Sequence, residues 1–381
     1  MARKRTGKPR KGFSLPFRIT PIGKLFIVVA LIAGLAVVAA SCKLFNGLFG
    51  GGQDARIKDR TSLTVAIPPG SKAPQIRVLL RALSAQDSLT VSALKDGKAA
   101  EVMARFDESS APVASMEPLT LTGGSSVSVD LKTRALNASR ASLSPPSGGY
   151  LVVNNNLYRG SLNVVAKRNG SWEVISVVTL EDYTLGALGW EMPAGWPVEA
   201  LKAQAVAIRT YTLYHVFDDL RSGRKREWDV DDTTGYLRYG GAGPWGKPNE
   251  SRETPNALRA VKDTSGEVML YRGDIFKAYF HACSGGQTTN STSAFAQETI
   301  EPLSGVDLGS HGKECSLYRW SRNVRLAEIA SRLPAKTQRE IGTLSGIEPV
   351  KDERGWMFEV NLKGDNGSAT VSAREFRAAR S

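Results

Sequence analysis

Hydrophobic and polar positions alternate in short runs over the first half of the chain. The runs are 63–67 (LTVAI), 76–80 (IRVLL), 88–94 (SLTVSAL), 125–131 (SSVSVDL), 149–153 (GYLVV), 161–166 (SLNVVA) and 172–178 (WEVISVV). Gly, Pro, Ser and Asp separate them, as strands of a sheet require. The SPPSGG stretch at 144–149 is a turn-rich break and a candidate subdomain boundary. The period changes at TLEDYTLGALGWEMP. Thr179 with Asp182 resembles a capping box, and a helix from about Leu180 should end before Pro193, because the residue before proline disfavours helical geometry. Pro197 suits the first position of a second helix, and Val198, Leu201, Ala205 and Ile208 recur at helical spacing. Strands are expected again around 267–286. A hairpin is expected across Gly364–Gly367, and Ser372 with Glu375 can cap a last short helix. The expected class is α+β: a β-rich domain with a helical segment built around two consecutive helices.

One uncharged run has no place in that pattern. Residues 25–42 (LFIVVALIAGLAVVAASC) are near the lower length for a membrane span. Residues 1–24 carry eight cations and no acid, which predicts a cytoplasmic basic tail and an exported remainder. A cleaved signal peptide is the rival, with an unusually long n-region. Lipidation at Cys42 is a further alternative, weakened because Ala39 stands where Leu is usual. Residues 43–60 read as a flexible linker, and 61–148 as a β-rich N-terminal part. Removing the eight tail cations from the net charge of +13 leaves +5. No later basic stripe is interleaved with aromatics, so a nucleic-acid partner is not expected.

The chemistry concentrates at WEMPAGWP. Glu191 falls at a helix C-terminus, where the macrodipole is negative, among Trp190, Met192 and Trp196. Both effects disfavour its charged form and predict a raised pKa. A carboxyl protonated near neutral pH can protonate the leaving oxygen of a glycosidic bond. The plainer alternative is an exposed glutamate at a helix end. Asp229, Asp231 and Asp232 are candidate second acids, although DVDDTTG reads more simply as a polar turn.

These residues carry a resemblance. LEDYTLGALGWEMPAGWPVEALKAQAVAIRTYTL (180–213), WDVDDTTGYLRYGG (228–241) and YFHACSGGQTTNS (279–291) resemble the SpoIID/LytB family of peptidoglycan lytic transglycosylases and amidase enhancers. The likeness runs more loosely from about residue 75 to the end, with 149–381 as the catalytic region. It implies that Glu191 is the acid/base and that Lys202 and Arg209 support activity, with Gln204 in the same motif. Lys202 and Arg209 would suit muramyl carboxylates or sugar hydroxyls. Alternatively, they face solvent or pair with Glu199 or Asp182. One carboxylate suffices for such a transglycosylase, because the same residue can give a proton to the leaving oxygen and then take one from the sugar's C6 hydroxyl, closing a 1,6-anhydro ring. Many relatives carry roughly CDTTHCQ where this chain has Asp231, Gly235 and Tyr236.

His281, Cys283, His311 and Cys315 form a second pattern. On a strand, His281 and Cys283 would share a face, and the four could ligate a structural zinc, as in some clostridial relatives. A Cys283–Cys315 disulfide uses the same sulfurs and would contribute roughly 3–4 kcal/mol. His281 could also line the cleft. His215 reads as a surface or capping histidine. Ser284, Gly285 and Gly286 belong to a tight loop that could approach a glycan closely. Tyr318 and Trp320 could stack on sugars or pack a core. No cofactor is needed for the chemistry. The expected partners are glycan strands, the membrane through 25–42, and a cell-wall amidase if the chain is an enhancer. The reading is a membrane-anchored lytic transglycosylase on the extracytoplasmic side. A non-catalytic amidase enhancer and an envelope protein with a dead site are the alternatives.

Overall fold

The computed structural model describes residues 74–380 apart from 108–110, 131–134, 194, 296–298, 314 and 316. The basic tail 1–24, the apolar run 25–42 with Cys42, the linker 43–60 and the strand expected at 63–67 lie outside the described residues. Among the described residues no helix is long and apolar enough to cross a membrane.

The alternating runs become two facing sheets. One has the order Val230–Asp231, Gln75–Leu79, Trp172–Thr179, Ser161–Ala166, Arg140–Ser144, Val102–Phe106, Val113–Ser115. The other runs Gly243–Pro244, Asn156–Tyr158, Tyr150–Val153, Ser88–Lys95, Leu119–Thr122, Val127–Asp130, Ala135–Ala138. Neighbours pair antiparallel, except that Gln75–Leu79 runs parallel to Val230–Asp231. Leu119 and Leu121 are buried while Thr120 and Thr122 are exposed, so the period of two sends one face inward. Val78, Leu143, Val164 and Val174 from the first sheet share a core with Val91, Leu121, Val129 and Leu151 from the second. Both sheets take strands from either side of residue 148. The 144–149 turn therefore carries the chain from one sheet to the other and is not a boundary between separate bodies.

The helical segment follows the strand Trp172–Thr179 at once. Helix Leu180–Glu191 is capped by Thr179, whose Oγ1 accepts the Asp182 N–H at 3.1 Å and donates to Asp182 Oδ2 at 2.8 Å. Met192 is already extended, at φ −137° and ψ 136°, as its place before Pro193 requires. The long helix Val198–Ser222 begins after Pro197, which is the flanking residue rather than the first helical one, and stops at left-handed Gly223. Leu201, Ala205 and Ile208 are buried as the periodicity predicts, whereas Val198 is half-buried. A third helix, Pro255–Asp263, packs against both.

Arg209 ties the three helices together. Its side chain is fully buried. Nε donates to both Glu181 oxygens at 3.0 Å, and Nη2 donates to Glu181 Oε2 at 2.7 Å and to the Val261 carbonyl at 2.9 Å. Nη1 reaches Thr264 Oγ1 at 3.1 Å, and Glu181 Oε1 also accepts the Gly266 N–H at 2.9 Å.

Two expectations fail beyond that point. Only Leu270–Tyr271 and Asp274–Ile275 form strands within 267–286, joined by a turn with Arg272 and Gly273 at φ 51° and 85°. The following residues are irregular, because Tyr279 and Phe280 pack against the main core instead of a sheet partner. His281 and Cys283 therefore do not sit on a strand. The C-terminal hairpin Met357–Gly364 with Ser368–Ser372 is as expected, and Ser372 Oγ accepts the Glu375 N–H at the start of helix Ala373–Arg380. A third strand, Leu344–Lys351, and the helices Leu326–Arg332 and Ala335–Ile341 complete a separate small core around Ile341, Val360 and Leu362.

Arg209 is buried, whereas Glu181 keeps 27% of its side chain exposed and can still be solvated when its partner is removed. Arg209→Met should therefore cost about 1.5–3 kcal/mol of unfolding free energy, through the lost charge-assisted hydrogen bonds. Urea unfolding of the two proteins measures this directly, and a cost below about 1 kcal/mol would count against the pair as a structural node.

Candidate active site

Glu191 is the last residue of its helix and is half-buried. Its Oε1 accepts the backbone N–H of Arg238 at 2.8 Å. Arg238 belongs to a loop laid along the helix. Tyr239 stacks on Tyr183 with centroids 5.2 Å apart, and a Cβ at Gly186 would come within 2.7 Å of the Tyr239 ring. A Cβ at Gly240 would strike the Trp190 ring at 2.7 Å. Small residues on both elements thus let the loop approach closely enough to deliver its N–H to the carboxylate.

The start of this loop is pinned by ion pairs. Asp229 accepts the Arg77 N–H at 2.8 Å and Nη2 at 2.6 Å. Asp231 takes Arg81 Nε at 2.7 Å, and Asp232 accepts the Arg81 N–H at 3.0 Å. Burial alone would raise Asp231, but hydrogen bonds from Thr233 and Arg81 hold it below the ordinary carboxylate value. Burial raises Asp232. Asp229 and Asp231 are therefore structural, as the polar-turn reading expects.

The apolar shield expected around Glu191 is incomplete. Trp196 is 44% exposed, and the guanidinium groups of Arg252 and Arg238 lie 4.2 and 5.3 Å from the Trp190 ring. An aromatic cluster lies near the acid instead. His215 packs edge-on against Tyr211 at 4.7 Å and Tyr236 at 4.8 Å. Tyr211 neighbours Tyr279 at 6.0 Å, and Tyr279 stacks on Phe295 at 3.8 Å. Tyr183 and Tyr211 are both raised, chiefly by burial, and both feel the negative charge of Glu191. His215 is not a surface or capping residue. Burial, assisted by nearby Lys277 and opposed by Asp218 and Asp219, holds it down to about 4. The sequence signal for the cluster was the aromatic spacing of TYTLYH and GYLRYGG.

The other expected site residues do not converge on Glu191. Arg209 is buried in its helix junction and presents no donor to a substrate. Lys202 pairs with Glu199 at 2.9 Å and Asp263 at 3.1 Å, which raise it in that order. Gln204 is half-buried, and its Nε2 has no partner among the described residues. Ser284 is buried and accepts the Gly286 N–H at 3.3 Å, closing a turn in which Gly285 and Gly286 have φ 66° and 102°. That turn packs against Tyr318 rather than standing open, while Trp320 is 59% exposed. His281 and His311 are exposed. Among the described residues no three His, Cys, Asp or Glu side chains are grouped to hold a metal. The four-ligand zinc set is therefore not assembled. Of its members, Cys283 and Cys315 meet, as free thiols.

The depressed His215 has a consequence for stability. Between its ordinary 6.5 and about 4, the unfolded chain binds a proton there that the folded chain refuses. Its contribution is complete above pH 6.5 and is lost as pH falls toward 4. From pH 7 to pH 5 the parent should lose about 2 kcal/mol more than His215→Phe. Urea titrations at the two pH values measure the difference, and equal losses contradict the assignment.

The comparisons agree with this geometry. The family model described as Stage II sporulation protein (SpoIID) matches residues 168–271, which span the Glu191 helix, the long helix and the loop carrying Arg238. An uncharacterized protein of Brachyspira hyodysenteriae is 40% identical over 220 residues, covering 58% of this chain and 55% of that protein. The amidase enhancer of Bacillus subtilis is 29% identical over 172 residues, 43% of this chain and 21% of the relative. Stage II sporulation protein D of the same organism is 28% identical over 178 residues, 45% and 51%. The chain thus spans about half the length, or less, of these curated relatives. The stretch 168–271, which holds the Glu191 segment, is similar to the SpoIID family, and the relatives named amidase enhancer and Stage II sporulation protein D share that likeness.

Proposed function

We propose that this protein cleaves peptidoglycan glycan strands as a lytic transglycosylase, with Glu191 as its single acid/base. The observation that carries the reading is the setting of that carboxyl. One oxygen is held by the Arg238 N–H, while the other has no partner among the described residues and the side chain is only half-buried. A fixed, accessible carboxyl can give its proton to the glycosidic oxygen as the bond breaks. As a carboxylate, it can then take the proton of the C6 hydroxyl while that oxygen closes on the anomeric carbon. The product is a 1,6-anhydro-muramyl end, and no activated water is required. The exposed Trp196, five residues after Glu191, offers a face on which a sugar ring can stack. Lys202 and Arg209 act through the helices they hold, by keeping Glu191 in place. Residues 25–42 anchor the chain in the cytoplasmic membrane, with the Glu191 region on the extracytoplasmic side.

A second reading is supported by the amidase-enhancer relative: the chain binds and activates a cell-wall amidase without cutting glycan. Purified, peptide-free glycan strands separate the two, because they contain nothing for an amidase to cut. The detergent-solubilised full chain should release 1,6-anhydro-muramyl products detectable by mass spectrometry. Glu191→Gln should lower their rate at least about a hundredfold. No product from correctly folded parent protein would reject the transglycosylase in favour of the enhancer.

A further inference from the structure

The segment after Tyr279 has little regular structure, yet it is closed on itself. The Leu308 N–H donates to the Gly286 carbonyl at 2.9 Å, and the Thr288 N–H to the Val306 carbonyl at 2.8 Å. Gln287 and Asp307 form a bridge between these rungs. The described chain at 284–288 and at 306–312 therefore lies side by side, as the two ends of one loop. The returning chain lies against the outgoing one. A Cβ at Gly286 would sit 3.2 Å from the Tyr318 hydroxyl, and one at Gly312 would sit 3.7 Å from Ser284 Oγ. Just outside the rungs, at the base of this loop, Cys283 precedes Ser284, which faces Gly312, and the Cys315 N–H donates to the Gly312 carbonyl at 3.0 Å; the two sulfurs are thereby neighbours, and Cys315 raises the Cys283 thiol. Both side chains are half-buried. His281 and His311, which would have to join them around a metal, are exposed.

We propose that Cys283 and Cys315 are a modification site: they are oxidised to an intramolecular disulfide that locks the base of the 284–314 loop. The oxidant is an external disulfide, carried by a thiol-oxidase protein or a small molecule. The Cys283 thiolate attacks one of its sulfurs and forms a mixed disulfide. The Cys315 thiolate then attacks the Cys283 sulfur and breaks its bond to the oxidant, so the S–S bond forms within the chain and the oxidant leaves as two thiols. Two electrons and two protons pass from the cysteines to the oxidant, and the balance is complete. The bond holds the Ser284–Gly286 turn against Tyr318 and restricts the loop attached to the Tyr279–Phe295 stack.

The test uses the full chain, purified from its membrane fraction and treated with a maleimide before unfolding. Non-reducing peptide mapping should recover the Cys283 and Cys315 peptides as one linked species, unlabelled at both sulfurs. Reduction should separate them and speed proteolytic cleavage within 284–314 by at least about tenfold, since the cross-link removes loop freedom. The double variant Cys283→Ala/Cys315→Ala should be cleaved at the rate of the reduced parent. Two outcomes overturn the proposal: labelling of both thiols in the untreated protein, or thiols protected until a chelator releases stoichiometric zinc. Neither bears on Glu191, whose role is read from glycan products alone.

Discussion

The helical layer depends on one ion pair, between a fully buried Arg209 and a half-buried Glu181. A guanidinium taken fully out of water is costly unless its donors are met, and Arg209, itself on the long helix, places all three of its nitrogens on partners from the two neighbouring helices. Glu181 belongs to the first turn of the acid's helix, while Val261 and Thr264 belong to the end of the third helix and its cap. The planar fork of arginine fixes direction as well as distance, which a lysine could not do. The helix from Leu180 to Glu191 is 12 residues long, about 18 Å at 1.5 Å per residue. Its first turn is clamped by Arg209 and its last turn presents Glu191.

The other end of the site is fixed by the sheet. Asp229 and Asp231 extend the strand edge at Gln75–Leu79 and engage Arg77 and Arg81. The chain that follows is therefore delivered in one register along the helix, where Tyr239 meets Tyr183 and the Arg238 N–H meets Glu191. Carboxylates that resemble catalytic acids in the sequence thus act as the fasteners of the loop that holds the acid.

Local signals were legible in the sequence. Thr179 and Asp182, Pro193, and the Ser372–Glu375 cap gave the helix limits, and period-two runs gave the strands. Partners distant in sequence were not. Arg209 sits beside Ile208 on a helix, and nothing local identifies Glu181, 28 residues earlier, as the group that allows it to be buried. Lys202 shows half of this rule: Glu199 at i−3 was foreseeable, whereas Asp263 was not. The 277–286 stretch misled because its aromatics supply the apolar spacing of a strand while packing against the main core without a strand partner. The Cys and His spacing suggested zinc, but spacing cannot show that the two histidines remain at the surface.

The most direct test is a double-mutant cycle on Arg209→Met and Glu181→Gln, read by urea unfolding of the parent, both single variants and the double variant. If the pair is the clamp, the two losses will be far from additive, with a coupling of about 1.5–3 kcal/mol. Additivity within about 0.5 kcal/mol would mean that Arg209 and Glu181 act independently, and the account of how this fold holds Glu191 would be wrong.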